Sequence, residues 1–404
     1  MSIPNCAFLA RCTFCISLLL VSPFLAACGS STSPRLDGGL TVGDDGSEMM
    51  PDAEVPSPEP DAAGPDERPA GPDSKSVDLA LGQDNNDDRI AAVSRVLAQE
   101  PLCLNLGAFY WEIGDKNGAL ASGTGGTGTP PLAIDAMSIA SASKLIFGVY
   151  MTERHAGVLT ADEIKFLTFQ SGYTNFDSCG VLQSVDECLA AAGRNGGTNG
   201  DVVAATVDHF FYNGGHLQQL ASTIGLGSDR NAKLASDLKT VLGAALAFTY
   251  TQPQLAGGVR TSAKDYALFL RHVLDGTYPH ALALLGTHSV CTHPGTDCPT
   301  AIYSPVNQSN VPDPPATTPN DVSNEQWHYS LGHWVEDDPA IGDGAFSSPG
   351  AFGFYPWIEA GKTTYGVLAR VDMANAGSND ISKISSISSV RCGRLIRKAW
   401  LTGE

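Results

Sequence analysis

Ser141 and Lys144 are the residues whose types and spacing most directly indicate covalent chemistry. They lie three positions apart, and the apolar residues that follow them recur at helical spacing. Positions i and i+3 share one face of a helix, so the hydroxyl and the amine can touch. The N-terminus of a helix carries free N–H groups and a partial positive charge, which disfavours another cation and lets Lys144 accept the hydroxyl proton. The pair predicts a serine nucleophile with a lysine base, at the start of a helix over residues 141–155.

A bare Ser-x-x-Lys tetrapeptide is common by chance, so its surroundings decide how it is interpreted. Five segments follow one another along the chain: Ile139-Ala140-Ser141-Ala142-Ser143-Lys144-Leu145, Phe166-Leu167-Thr168-Phe169-Gln170-Ser171-Gly172, Gly257-Gly258-Val259-Arg260-Thr261-Ser262-Ala263-Lys264-Asp265, Tyr329-Ser330-Leu331-Gly332-His333-Trp334, and Ser348-Pro349-Gly350 with Gly353-Phe354. In this order they resemble the motifs of the serine β-lactamase and penicillin-binding protein family, most like its class C β-lactamase and esterase-type branch. The resemblance spans residues 90–400 and implies an acyl-enzyme formed on Ser141.

The second motif of that family, Tyr-x-Asn before an apolar helix, is altered here to Phe211-Tyr212-Asn213-Gly214-Gly215. Alignment on the tyrosine makes Tyr212 the phenol that transfers a proton. In this alignment the helix that follows also matches the position of the family's apolar helix. Alignment on Asn213 puts Phe211 at the tyrosine and makes Asn213 the binding residue. Two alternatives remain: Tyr173-Thr174-Asn175, which lies within the Thr-Ser-Gly-like segment, and Tyr212 as a packed aromatic beside a turn.

The third motif is altered as well. The family places Lys or His, then Thr or Ser, then Gly beside the cleft, whereas Ser348-Pro349-Gly350 keeps only the glycine. A glycine lets substrate approach the backbone closely, and the resemblance implies an oxyanion hole made by the amides of Ser141 and Ala351. The missing cation usually holds a substrate carboxylate, so β-lactams and peptides are disfavoured. Lys362-Thr363-Thr364 lacks the glycine and is predicted to be a solvated turn.

Other serine-hydrolase signals are weaker. No Gly-x-Ser-x-Gly occurs in the sequence, which disfavours an α/β-hydrolase. His216 and His333 lie near the proposed cleft and are candidates for touching substrate. His272 belongs to an amphipathic helix and is expected at the surface.

The cysteines predict disulfides rather than a metal site. Six cysteines remain when those of the N-terminal segment are set aside, and an even number in an exported protein favours pairing. Local spacing favours Cys179–Cys188 and Cys291–Cys298, which leaves Cys103 with Cys392, although six cysteines allow about 15 pairings. His288, Cys291, His293 and Cys298 cluster like zinc ligands, but turn residues between them favour a disulfide-closed loop, and neither metal nor cofactor is expected.

The N-terminal sequence predicts an export signal followed by a tether. Residues 13–27 are mostly apolar, too short to span a membrane, and end in Leu25-Ala26-Ala27-Cys28-Gly29, which resembles a bacterial lipobox with Cys28 as the lipidated residue. An ordinary signal peptide with an incidental cysteine is the alternative. Gly29 favours outer-membrane sorting. Residues 28–88 are rich in Pro, Asp and Gly, hold 15 of the acidic residues against 3 basic ones, and are predicted to be disordered.

The remaining residues, 89–404, are predicted to form one hydrolase domain. Helices are expected over residues 90–100, 263–274 and 385–400, strands over 104–113, 327–336, 353–359 and 363–371, and a hairpin turn at Asp115-Lys116-Asn117-Gly118. The middle, residues 160–250, reads as mostly helical. This order of elements predicts an α/β sandwich in which an antiparallel sheet is flanked by helices, and the resemblance implies the β-lactamase/transpeptidase-like form of that sandwich.

The sequence as a whole predicts a serine hydrolase that cleaves an ester or small amide. A formal net charge of −19 argues against nucleic-acid binding, which needs a basic face. A β-lactamase or D-Ala-D-Ala carboxypeptidase is one alternative, and a decayed enzyme acting as a tethered binding module is another. The expected partners are a small-molecule substrate and, through the lipid on Cys28, the membrane facing the periplasm or cell surface.

Overall fold

The computed structural model describes residues 84–295, 297–307, 325–378 and 383–404. The predicted signal peptide, Cys28 and nearly all of the predicted tether lie outside the described residues. No helix among the residues described is both long enough and apolar enough to cross a membrane.

The described chain forms ten α-helices and thirteen strands. The helices are α1 (Asp84–Gln99), α2 (Pro101–Leu104), α3 (Ser143–Arg154), α4 (Ala161–Leu167), α5 (Val185–Leu189), α6 (Gly215–Ala221), α7 (Asn231–Leu242), α8 (Ala263–Leu274), α9 (Pro279–Leu284) and α10 (Ser385–Thr402). The strands are β1 (Phe109–Asp115), β2 (Gly118–Gly125), β3 (Met137–Ser138), β4 (Phe210–Phe211), β5 (Phe248–Tyr250), β6 (Val259–Thr261), β7 (Val290–Cys291), β8 (Ala301–Tyr303), β9 (His328–Tyr329), β10 (Trp334–Glu336), β11 (Ala345–Ser347), β12 (Tyr355–Ile358) and β13 (Thr364–Ala369).

The main sheet has eight strands in the order β2-β1-β13-β12-β11-β10-β9-β7, and neighbouring strands are antiparallel. The pairing of β1 with β13, in which Tyr110 stands opposite Ala369, joins the start of the domain to its end. A second sheet has three strands in the order β3-β6-β5, and β3 precedes the segment that carries Ser141. The predicted antiparallel sheet is confirmed.

Helices cover both faces of the main sheet. Successive strand residues point to opposite faces, so Gly366 and Tyr365 on β13 mark the two sides. Trp357 packs over Gly366, and Arg397 of α10 lies 5.6 Å from the Trp357 ring centroid. Tyr365 on the other face is hydrogen-bonded by Arg271 of α8. The predicted flanking by helices is therefore confirmed.

All three predicted disulfides are present: Cys103–Cys392, Cys179–Cys188 and Cys291–Cys298. The first links α2 to α10 and so closes the domain across a sequence separation of 289 residues. The third uses both thiols of the cluster that looks like a zinc site, which leaves no thiolate there to bind a metal.

Several predicted elements are placed correctly. The turn at residues 115–118 joins β1 and β2, and Ser262 caps α8, its side chain accepting a hydrogen bond from the Asp265 amide. Two strand predictions were wrong in part. Residues 104–108 belong to a helix end and a turn at Gly107 (φ 80°), because Pro101 starts a short helix. Residues 327–336 form two strands, because Gly332 at φ 81° turns the chain back on itself.

Candidate active site

A tight turn presents Ser141 at the start of α3. Residues Ala140–Ala142 form a 3-10 turn, and Ala140 has φ 45°, a left-handed conformation that costs a non-glycine residue about 1 kcal/mol. Ser143 stabilises it, because its hydroxyl donates to the Ala140 carbonyl (2.7 Å) and accepts from the Val259 amide of β6 (3.2 Å). Ser143 is thus a structural residue, and Ser141 is the half-buried serine that faces the cavity described below.

Lys144 lies directly against Ser141. Its ammonium nitrogen Nζ is 2.8 Å from Ser141 Oγ and 2.8 Å from the Ala256 carbonyl oxygen. The lysine is 4% exposed, and burial lowers its pKa from 10.5 to about 7. Near neutral pH a large fraction of Lys144 is therefore uncharged and able to accept the serine proton. The expected meeting of the two side chains is present, although its chemical role stays a prediction.

Tyr212, rather than Phe211, reaches the cavity beside Ser141. Its ring centroid is 4.8 Å from Lys144 Nζ, and it stacks on Trp334 at 5.2 Å. Burial raises the pKa of the Tyr212 phenol to about 12, although hydrogen bonding to Ser141 and Trp334 opposes the shift. The phenol is therefore protonated near neutral pH and can donate a proton to a group in the cavity.

The other candidates of the second motif face away from this cavity. Asn213 is not among the wall residues, and its side chain is held by the backbone: Nδ2 donates to the Phe176 carbonyl (3.2 Å) and Oδ1 accepts from the Gly215 amide (2.8 Å). Asn175 of the Tyr173-Thr174-Asn175 alternative is likewise held by the carbonyls of Gly196 and Thr198. Both asparagines shape loops.

The third motif contacts the backbone of the segment that carries Ser141. Ser348 donates to the Ser141 carbonyl oxygen (2.9 Å) and is buried, so it fixes the position of the turn and is not open to substrate. A Cβ on Gly350 would lie 2.1 Å from the Ile139 carbonyl oxygen, so a glycine is needed here for this close backbone approach, and its role toward substrate stays a prediction. Ala351 lines the cavity together with Ser141.

Lys362 does not replace the missing cation. Its ammonium donates to the carbonyl oxygens of Leu282 and Leu285, each at 3.1 Å, outside the cavity wall. The neighbouring Thr363 hydroxyl donates to Glu359, which closes a turn between β12 and β13.

The histidines proposed near the cleft are structural. His216 is fully buried, with Nδ1 2.7 Å from the Ser171 hydroxyl and Nε2 3.0 Å from the Phe211 carbonyl, and burial lowers its pKa to about 3. His333 accepts a hydrogen bond from the Gly286 amide at Nε2, and burial lowers its pKa to about 4. Both are neutral near neutral pH, and neither lines the cavity at Ser141.

A cavity of about 250 Å³ opens at Ser141. Its described wall is mostly apolar: Tyr212, Tyr303, Pro305, Val306, Trp334, Pro349, Ala351, Ala376, Gly377, Ser378, Ile384 and Ser386. None of these described wall residues carries an ionisable group other than a phenol. Sequence reasoning missed the Ala256 carbonyl, Tyr303 and five further wall residues, none of which belongs to a motif with a chemical signature: Ala376, Gly377, Ser378, Ile384 and Ser386.

A second cavity contains a serine and a lysine at the same spacing but in a different structural setting. It has about 700 Å³ between α7 and β5 and is lined by Ser236 and Lys239, the other Ser-x-x-Lys of the sequence. Here the pair lies inside a helix, Ser236 is exposed, and Lys239 Nζ lies 4.8 Å from the Phe248 ring centroid. Its spacing equals that of Ser141 and Lys144, without a helix start or a buried amine.

Comparison with known proteins bears on the fold. No family model and no curated protein matches the sequence. The structure is similar to that of a putative β-lactamase from Bacteroides dorei (TM-score 0.50, 17% identity, 77% of this chain and 98% of that chain). It is also similar to a penicillin-binding protein homolog from Caulobacter crescentus (TM-score 0.50, 12% identity, 77% of this chain and 98% of that chain). At these identities the likeness speaks for the fold.

Proposed function

The chain has the β-lactamase and penicillin-binding protein fold, and from that premise we propose that it is a serine hydrolase that cleaves uncharged esters or small amides through an acyl-enzyme on Ser141. The observation that carries the proposal is the 2.8 Å contact between Ser141 Oγ and the amine of Lys144, whose pKa burial lowers to about 7. A nucleophile and a base in hydrogen-bond contact at the wall of a cavity form the minimal unit of this chemistry.

In the acylation step, Ser141 Oγ attacks the carbonyl carbon and its proton passes to the neutral amine of Lys144. The backbone amides of Ser141 and Ala351 stabilise the oxyanion. The carbon–oxygen or carbon–nitrogen bond to the leaving group then breaks, and the Tyr212 phenol protonates that group and recovers a proton from Lys144. In deacylation, water attacks the carbonyl carbon of the acyl-serine and the bond to Ser141 Oγ breaks. A proton of the water passes to Ser141 Oγ, and the acid is released.

The wall of the cavity favours an uncharged substrate. The Lys or His of the family's third motif is replaced by Ser348, whose hydroxyl is already used by the Ser141 carbonyl oxygen. No lysine, arginine or histidine belongs to the described wall. A substrate carboxylate would lose its water there without gaining a cation, which disfavours β-lactams and acyl-D-amino acids.

We propose also that the protein is exported and lipidated on Cys28. The Leu25-Ala26-Ala27-Cys28 sequence supports lipidation, and three disulfides suit an oxidising compartment. A Cys28→Ala variant is expected to leave the membrane fraction for the soluble fraction, and a protein that stays with the membrane would contradict the proposal.

Ester hydrolysis tests the activity directly. The mature protein is expected to hydrolyse p-nitrophenyl butyrate and to leave nitrocefin intact. The rate constant kcat/KM should rise with pH to a plateau with an apparent pKa about 7, because the neutral amine of Lys144 is the base. Ser141→Ala should abolish the activity and Ser236→Ala should keep it, since Ser236 has the same lysine spacing without the site. Hydrolysis by Ser141→Ala at the wild-type rate would contradict the proposal.

A further inference from the structure

The outer wall of the cavity is built by β8, which carries Tyr303. This strand runs parallel to β4, and the Tyr303 carbonyl oxygen accepts a hydrogen bond from the Tyr212 amide at 3.1 Å. The position of Tyr303 is therefore coupled to that of the proposed proton-transferring residue through the main chain. Its neighbour Ile302 is comparably exposed and does not line the cavity.

Three aromatic rings stand in the described wall, and they differ in how much of their surface is available. Trp334 is 1% exposed, because Tyr212, Trp327 and Tyr329 pack around it at 5.2, 5.8 and 4.9 Å. Tyr212 is enclosed between Trp334 and Phe169. Tyr303 touches only Phe211 among described rings, at 5.3 Å, and is 43% exposed. Tyr303 is thus the wall aromatic with the largest exposed fraction among the described residues of the cavity.

The remaining wall suits a flat apolar group. Pro305, Val306 and Pro349 supply rigid apolar surface around a volume of about 250 Å³. A ligand ring stacked on a tyrosine gains from ring–ring geometry as well as from burial. A saturated ring of the same size gains only the burial.

Resting on the proposed function, the geometry points to Tyr303 as a specificity-determining residue that selects esters bearing an uncharged aromatic ring next to the scissile bond. In this proposal the substrate ring stacks on the exposed ring of Tyr303 while the ester carbonyl lies at Ser141.

Matched pairs of esters test this selection. In the acyl series, methyl phenylacetate is compared with methyl cyclohexylacetate, and in the alcohol series, benzyl acetate with cyclohexylmethyl acetate, by pH-stat titration of the mature protein. We expect kcat/KM to favour the aromatic member of at least one pair by about threefold to tenfold. Tyr303→Leu, which keeps apolar volume but removes the flat ring, should bring that ratio to about one. Ile302→Leu, on the same strand but off the cavity wall, should leave it unchanged.

The outcomes separate this inference from the proposed function. Hydrolysis of the saturated esters with no aromatic preference, or a preference that survives in Tyr303→Leu, overturns the role of Tyr303 and leaves the hydrolase proposal standing. Absence of hydrolysis of every ester by folded protein overturns both. An equal loss of preference in Ile302→Leu would show a disturbance of β8 and would also overturn the assignment.

Discussion

Replacement of Lys144 by methionine should make the protein more stable while removing the proposed base. The lysine is 4% exposed, and the only cause of its lowered pKa is burial, so its ammonium form is costly in the folded state. Lowering the pKa from 10.5 to about 7 corresponds to about 5 kcal/mol against the charged form. Methionine has similar length and no charge, so the Lys144→Met variant does not carry the free-energy cost of a buried ammonium group.

The gain should depend on pH in a defined direction. Below pH 7 Lys144 is protonated in both the folded and the unfolded chain, and the full cost of about 5 kcal/mol applies. Between pH 7 and 10.5 the unfolded chain holds the extra proton, so the stability of the wild-type protein rises with pH by at most about 1.4 kcal/mol per pH unit. Near pH 10.5 the cost is gone, and the variant keeps little advantage.

Urea unfolding followed by tryptophan fluorescence at pH 6, 8 and 10 measures this difference. Lys116→Met, an exposed lysine in the turn between β1 and β2, serves as the matched control and should show no such pH-dependent difference. A Lys144→Met variant as stable as wild type at pH 6 would refute the buried-charge argument. So would a gain of the same size at pH 6 and pH 10, because packing alone would then explain it.

Three further substitutions test separate parts of the account. Tyr212→Phe keeps the ring that stacks on Trp334 but removes the phenol hydroxyl. It should lower kcat/KM for p-nitrophenyl butyrate by about 10²- to 10⁴-fold and leave the circular dichroism spectrum unchanged. A loss below about fivefold would exclude the phenol from proton transfer. Gly350→Ala places a Cβ 2.1 Å from the Ile139 carbonyl oxygen and should lower the free energy of unfolding in urea by about 3 kcal/mol. An unchanged free energy of unfolding would contradict the close approach. Replacing both Cys103 and Cys392 by serine should lower the free energy of unfolding by about 5 kcal/mol, and replacing both Cys291 and Cys298 should lower it by about 2 kcal/mol. The difference is expected because the first disulfide closes a far longer loop. Equal losses would contradict this argument.

Much of the fold could be predicted from local signals. The Asp115–Gly118 turn, the Ser262 cap and the helical spacing after Ser141 each act within a few residues, and the structure has all three. The disulfide pairing was predictable because two pairs are close in sequence and leave one remaining pair. Strand β11 escaped prediction, since Ala345–Ser347 is too short to show alternation.

The site was predictable where chemistry and sequence coincide. Ser141 and Lys144 share a helix face, so spacing alone brings them together. Tertiary packing, which no local pattern encodes, brings the Ala256 carbonyl to Lys144 and brings six residues to the cavity: Tyr303, Ala376, Gly377, Ser378, Ile384 and Ser386. The contacts of Ser348 and Gly350 with the backbone of residues 139–141 were not predictable for the same reason, because tertiary packing brings these segments together.

Covalent labelling of Ser141 tests the central claim most directly. The mature protein is incubated with a fluorophosphonate or, separately, with a penicillin, and intact mass and peptide mapping locate any adduct. The account predicts one fluorophosphonate adduct on Ser141, retained in Ser236→Ala, lost in Ser141→Ala, and no penicillin adduct. Folded protein that gains no fluorophosphonate adduct, or gains it on a residue other than Ser141, would contradict the account.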